Sequence, residues 1–197
     1  MLKLLLASQN QGKLQEMKFI LRDLPIQIIA PADLGINLHV RETGKTYAEN
    51  AALKAKAFAK VSGLIALGDD SGLEVDALKG APGLYSARYA PDLNADDGDR
   101  RNFLLENLLP HPRPWTARFR ATIAIVQPEG EIYYNEGICD GEIIPDERGT
   151  GGFGYDSIFY LPDLKCTMAE LGEDKKNRLS HRAKALEQAK EFLKRLF

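Results

Sequence analysis

Two aspartates stand side by side at the end of an apolar run, Leu64-Ile65-Ala66-Leu67-Gly68-Asp69-Asp70-Ser71-Gly72. Adjacent carboxylates repel each other unless something offsets their charge. A magnesium ion does so, and it prefers one or two carboxylates completed by water and phosphate oxygens. A carboxylate beside such an ion can also take a proton from an attacking water. The same residues equally suit a plain turn whose side chains bond to the backbone. Ser71 does not read as a nucleophile, because the chain has no GxSxG and no histidine in a suggestive relation to it.

Four further clusters carry polar groups. Ser8, Gln9, Asn10, Gln11, Gly12 and Lys13 lie between a strand-like and a helical stretch. A strand-to-helix turn aims backbone N–H groups at whatever sits above the helix, which suits phosphate, and Lys13 adds a charge. Alternatively Asn10 only caps the helix. The segment is no Walker loop, since Ala7 occupies the place of the first glycine. Glu42-Thr43-Gly44 precedes a second helical stretch. Residues 149–156, Gly-Thr-Gly-Gly-Phe-Gly-Tyr-Asp, match GxGxxG formally, but a strand-like run follows where a dinucleotide fold needs a helix. With Phe153 and Tyr155, this loop suits stacking on a flat base, or a tight turn with its aromatics in the core. Lys176 and Ser180-His181-Arg182 come at the head of the last helical stretch, where cations oppose the helix dipole.

The elements that must position these groups follow from hydrophobic period. Residues 2–7, 26–30, 64–67, 118–126, 131–139 and 157–161 read as strands. Residues 11–24, 46–61, 100–109 and 180–197 read as helices, with Thr46 and Glu49 at capping-box spacing. Early alternation with a hairpin in the middle argues an α/β or α+β fold with a mixed sheet. No repeat or linker divides the 197 residues, so residues 1–197 are expected to form one domain.

Apolar residues make up 44% of the chain, enough for a core, and the net charge is −2. No global field then favours nucleic acid or membrane, and a charged substrate must be held by local cations. Cys139 and Cys166 form no metal-ligand pattern and read as reduced thiols. The apolar start is too short for a signal peptide, and no stretch spans a membrane, so a cytoplasmic location is expected.

Taken together, the clusters resemble the inosine-triphosphate pyrophosphatase family, also called Ham1-like or dITP/XTP pyrophosphatases. The resemblance rests on residues 6–13 with Glu16, on Glu42-Thr43-Gly44 with Glu49-Asn50-Ala51 and Lys54-Ala55, and on Asp69-Asp70-Ser71-Gly72-Leu73. It continues through Gly80-Ala81-Pro82-Gly83 with residues 85–89, then residues 149–156 and Ser180-His181-Arg182. Ser8-Gln9-Asn10 stands where many relatives have Thr-Gly-Asn, and Ser157 where proline is frequent.

The resemblance implies an elongated mixed central sheet flanked by helices, two lobes with the nucleotide in a cleft between them, and a homodimer. It implies that ITP, dITP, XTP and dXTP are hydrolysed to the monophosphate and pyrophosphate. Ser8, Gln9, Asn10, Gln11, Gly12 and Lys13 would hold the triphosphate. Glu42 and Asp70 would hold Mg2+, Asp70 would be the general base, and Ser71 would contact substrate. Phe153, Gly154, Tyr155, Asp156, Lys176, His181 and Arg182 would enclose the base. Competing readings are a related enzyme acting on pyrimidine or modified triphosphates, a noncatalytic nucleotide sensor, and a nucleic-acid-binding module. The slightly acidic balance disfavours the last.

Overall fold

The computed structural model describes residues 1–92 and 94–196. Seven strands, β1 (Leu2–Leu6), β2 (Ile26–Ile29), β3 (Ile65–Val75), β4 (Trp115–Val126), β5 (Ile132–Ile143), β6 (Phe159–Leu161) and β7 (Cys166–Thr167), form one sheet in the order β2-β1-β3-β4-β5-β6-β7. β1 runs parallel to β2 and β3, whereas β6 runs antiparallel to β5 and β7, so the sheet is mixed. The helices are α1 (Gln11–Ile20), α2 (Tyr47–Ser62), α3 (Asp97–Leu108), α4 (Glu173–Leu179) and α5 (His181–Leu193). No helix among the described residues is long and apolar enough to cross a membrane.

The chain divides into two compact units: Met1–Asp70 with Ala121–Gly137 and His181–Phe197, and Ser71–Arg120 with Ile138–Ser180. In the first unit the two-residue period of a strand sorts side chains to two faces. Leu4, Leu6, Leu67 and Ile123 join Leu14 and Met17 of α1 and Leu186 of α5 in one core. Leu5, Ala7, Ala66 and Ala124 join Ala51, Ala55 and Phe58 of α2 in another. The second unit packs its own core from Leu73, Leu104, Trp115, Phe119, Tyr155, Phe159 and Met168.

The long strands depart from the sequence expectation. Gly68 and Ser71-Gly72 suggest that the third strand stops at Leu67, yet β3 runs on to Val75. Gly68 is the cause: a Cβ there would fall 2.2 Å from the Ala51 carbonyl oxygen, so the missing side chain lets α2 lie against the strand. The two aspartates therefore sit mid-strand. The final helix begins at His181 and ends in a short 3-10 turn; the last expected helical residue, Phe197, lies outside the described residues. The short α4 and β7 carry no periodic signal long enough to be read from sequence.

Candidate active site

Because Asp69 and Asp70 are consecutive in β3, their side chains point to opposite faces of the sheet. The repulsion expected between adjacent carboxylates is thus relieved geometrically, and each acid has its own cations.

Asp69 faces α1 and α5. Lys13 Nζ donates to Asp69 Oδ1 at 2.5 Å, and Arg182 Nε donates to Oδ2 at 3.0 Å. Arg182 also donates from Nη1 to Glu16 Oε2. The Arg182 guanidinium is 2% exposed and the Asp69 side chain fully covered. Burial pushes the Asp69 carboxyl upward, but Arg182 and Lys13 outweigh it and hold it well below the usual carboxylate range. Burial lowers the Lys13 ammonium, with Asp69 opposing and the Lys54 and Arg182 charges reinforcing the shift.

Local chemistry places these cations. Asn10 caps α1 by accepting from Lys13 N–H at 3.0 Å, while its own N–H donates to Ser8 Oγ at 3.2 Å. Lys13 is thereby fixed in the first turn. At the other end of the chain, Gly137 of β5 meets the head of α5: a Cβ there would fall 2.0 Å from the His181 carbonyl oxygen. This close approach seats His181 and Arg182, both buried, on the sheet.

Asp70 faces α2. Lys54 Nζ donates to Asp70 Oδ1 at 2.8 Å and to Glu42 Oε1 at 2.7 Å. Two carboxylates from separate segments therefore share one ammonium. Asn50 Nδ2 donates to the other Asp70 oxygen at 3.2 Å. Burial raises the Asp70 carboxyl, with Lys54 and Lys13 opposing and Glu42 adding to the rise. Burial works against the Lys54 ammonium, but Asp70 and Glu42 outweigh it and raise it.

Across both faces, Lys13, Lys54 and Arg182 meet four carboxylates: Glu16, Glu42, Asp69 and Asp70. On the Glu42–Asp70 side Lys54 serves both acids. A divalent cation fits that donor set. Among the described residues no group of three or more His, Cys, Asp or Glu is placed to hold a metal ion, so water and phosphate oxygens would have to complete the two carboxylates.

In the second unit, residues 149–156 form a glycine-rich loop beside a cavity of about 250 Å³. Gly149, Gly152 and Gly154 have positive φ, which only glycine adopts without strain. Beneath Gly152, Asp156 Oδ2 accepts from Phe153 N–H at 2.8 Å and from Lys176 Nζ at 2.7 Å. Lys176 Nζ also lies 4.8 Å from the centre of the Phe153 ring, in cation–π range. Gly154 is held through both backbone groups, its N–H by Asp97 at 2.7 Å and its carbonyl by Arg101 at 2.8 Å.

The aromatic pair does not act as a pair. Phe153 is half-buried at the loop, whereas the Tyr155 ring lies in the core and its hydroxyl donates to the Ser86 carbonyl at 2.9 Å. A ring packed among Leu73 and Phe159 cannot offer its face to a base, so of the two readings open for these aromatics the core one holds for Tyr155. Ser71 begins the second unit's part of β3. Asn50, Lys54 and Glu16 received no role from sequence. Two signals were available: all three stand among the residues that carry the resemblance, and the i, i+4 spacing of Asn50 and Lys54 puts both on one face of α2.

An open mixed sheet covered by helices, with an acid pair and a lysine-bearing strand-to-helix turn, defines a phosphate-handling α/β protein. The chain belongs to the Ham1 family, whose model matches residues 4–192. It is 48% identical over 198 residues to a dITP/XTP pyrophosphatase of Desulforamulus reducens, covering 100% of this chain and 98% of the relative. A dITP/XTP pyrophosphatase of Geobacter sulfurreducens is 44% identical, with 98% of this chain and 97% of the relative covered. A HAM1 protein from Coxiella burnetii superposes with a TM-score of 0.89 at 43% identity, over 99% of this chain and 100% of that one.

Proposed function

We propose that this chain hydrolyses non-standard purine nucleoside triphosphates, ITP, dITP, XTP and dXTP, to the monophosphate and pyrophosphate, and so keeps these bases out of DNA and RNA. Kinship with dITP/XTP pyrophosphatases supports the reaction. The observation that carries it is the sharing of Lys54 by Glu42 and Asp70.

Glu42 and Asp70 would hold Mg2+, which when bound would supply a Lewis acid that offsets phosphate charge. Asp70 accepts the proton of the water that attacks in line at the α-phosphorus. Ser8, Gln9, Asn10, Gln11 and Gly12 present polar and backbone groups to the triphosphate. Lys13 faces the charge that grows on the departing pyrophosphate. Ser71 contacts substrate. Phe153, Gly154, Asp156 and Lys176, with the backbone of Tyr155, receive the base, and His181 supplies a donor for its 6-oxygen, with Arg182 anchoring the head of α5 through Asp69 and Glu16. Adenine carries a donor at that position and is rejected, since a site that demands a hydrogen bond discriminates by about 10⁴–10⁵ when the bond is lost. The protein acts in the cytoplasm, as a homodimer.

The test is turnover of ITP, XTP, GTP and ATP with pyrophosphate detection, with and without Mg2+. Metal-dependent release of pyrophosphate from ITP and XTP, with ATP left intact, is expected. Hydrolysis of ATP as fast as ITP would sink the selectivity, and unchanged turnover in chelator would sink the metal. Equilibrium sedimentation checks the dimer.

A further inference from the structure

We infer that Asn50 is a positioning residue for the metal site: its carboxamide ties the segment carrying Glu42 to Asp70 and fixes the spacing of the two acids. The inference rests on the proposed function in taking those acids as the metal ligands.

Asn50 is 1% exposed and lies in the first turn of α2, after the Thr46 cap. Both ends of its amide are used. The carbonyl oxygen accepts from Gly44 N–H at 2.8 Å, and the NH2 group donates to Asp70 Oδ2 at 3.2 Å. Only this orientation satisfies both partners. The flipped amide would set its NH2 against the Gly44 N–H and its oxygen against a carboxylate. Gly44 follows Glu42 by two residues, so the first bond holds the Glu42 segment and the second holds Asp70.

The surrounding chain is shaped for this contact. A Cβ on Gly44 would fall 2.7 Å from Asn50 Oδ1 and 2.6 Å from Glu49 Cβ. Glu49 Oε2 accepts from the next amide, Lys45 N–H, at 2.6 Å, and so holds the same turn from its other side. The close approach of Gly68 to Ala51 sets the height of α2 over β3, which brings Asn50 and, one turn later, Lys54 to the two oxygens of Asp70. A side chain that orients a metal ligand without touching the metal commonly accounts for 10–100-fold in metal affinity or activity.

The experiment compares wild type with Asn50→Ala, using Mn2+ alone as probe and electron paramagnetic resonance to count free ion. Mn2+ affinity is expected to fall about tenfold or more. At saturating Mg2+, kcat for ITP falls while KM changes by less than about twofold, because triphosphate contacts are kept. Equal Mn2+ affinity in the two proteins would overturn the inference. A wild type that binds no Mn2+ would instead sink the metal ligands themselves, and this inference with them. If Asn50→Ala fails to fold, the wild type decides: its Asn50 side-chain amide resonances must shift during a Mg2+ titration, and signals that stay put through saturation overturn the role.

Discussion

Asp69 and Asp70 are the same residue at successive positions of one strand, and their surroundings differ in almost every respect. Asp69 is sealed from solvent and answered by both Lys13 and Arg182. Asp70 has a side chain 9% exposed and divides one lysine with Glu42, which is 27% exposed. The first carboxyl is driven down by its cations, and the second is driven up because burial wins. Residue type therefore did not decide the surroundings here: the cations each acid meets and its path to solvent did.

The sharpest break of this contrast is substitution. Asp70→Asn should lower kcat about a thousandfold, within the usual range for a general base, and leave the unfolding midpoint close to that of wild type. Near-native turnover would end its role as base. Asp69→Asn should do the reverse in kind: it takes the carboxylate from Lys13 and leaves the buried Arg182 with Glu16 alone, and should cost about 3 kcal/mol of stability in a denaturant titration. If both variants lose similar stability, the division between the two faces is wrong.

A smaller effect is expected at the contact that sets the distance between β3 and α2. Gly68→Ala forces a Cβ into the Ala51 carbonyl and should destabilise by about 1–3 kcal/mol. Mn2+ binding should weaken with it, because α2 carries both Asn50 and Lys54. Unchanged stability would mean that the helix yields freely.

The least effect lies at Asp97, half exposed in the second unit. Burial raises its carboxyl, but Arg100 and the Gly154 N–H outweigh that and hold it below the ordinary 3.8. Its stabilising contribution is thus fully present above about pH 3.8 and is lost as pH falls through the lower folded value. The stability gap between wild type and Asp97→Asn should shrink on acidification below about pH 3.8. A gap constant with pH would show that Asp97 contributes nothing as an anion.

Much of this was legible before any coordinates. The caps at Asn10 and Thr46 announced α1 and α2, and apolar spacing gave both within a few residues. The cations at the head of the last helix stood out as a conflict with the dipole, and Glu16 and Asp69 are what answers it. What stayed hidden was long-range. Asn50 meets Asp70 across twenty residues of chain, and no local pattern reports such a contact. The strand read as ending before Gly68 because a glycine chosen for close approach looks the same in sequence as one that ends a strand. Whether the Tyr155 ring stacks or packs in the core stayed open because its core neighbours come from distant segments.

The absence of a side chain at Gly137 makes the last helix a keystone. α5 rests its first turn directly on β5, covers Asp69 with Arg182, and contributes Ala183, Leu186, Ala189 and Leu193 to the interior. Cutting the chain just before His181 would not trim a tail. It would unroof one face of the sheet and take the Arg182 guanidinium away from a newly wetted acid.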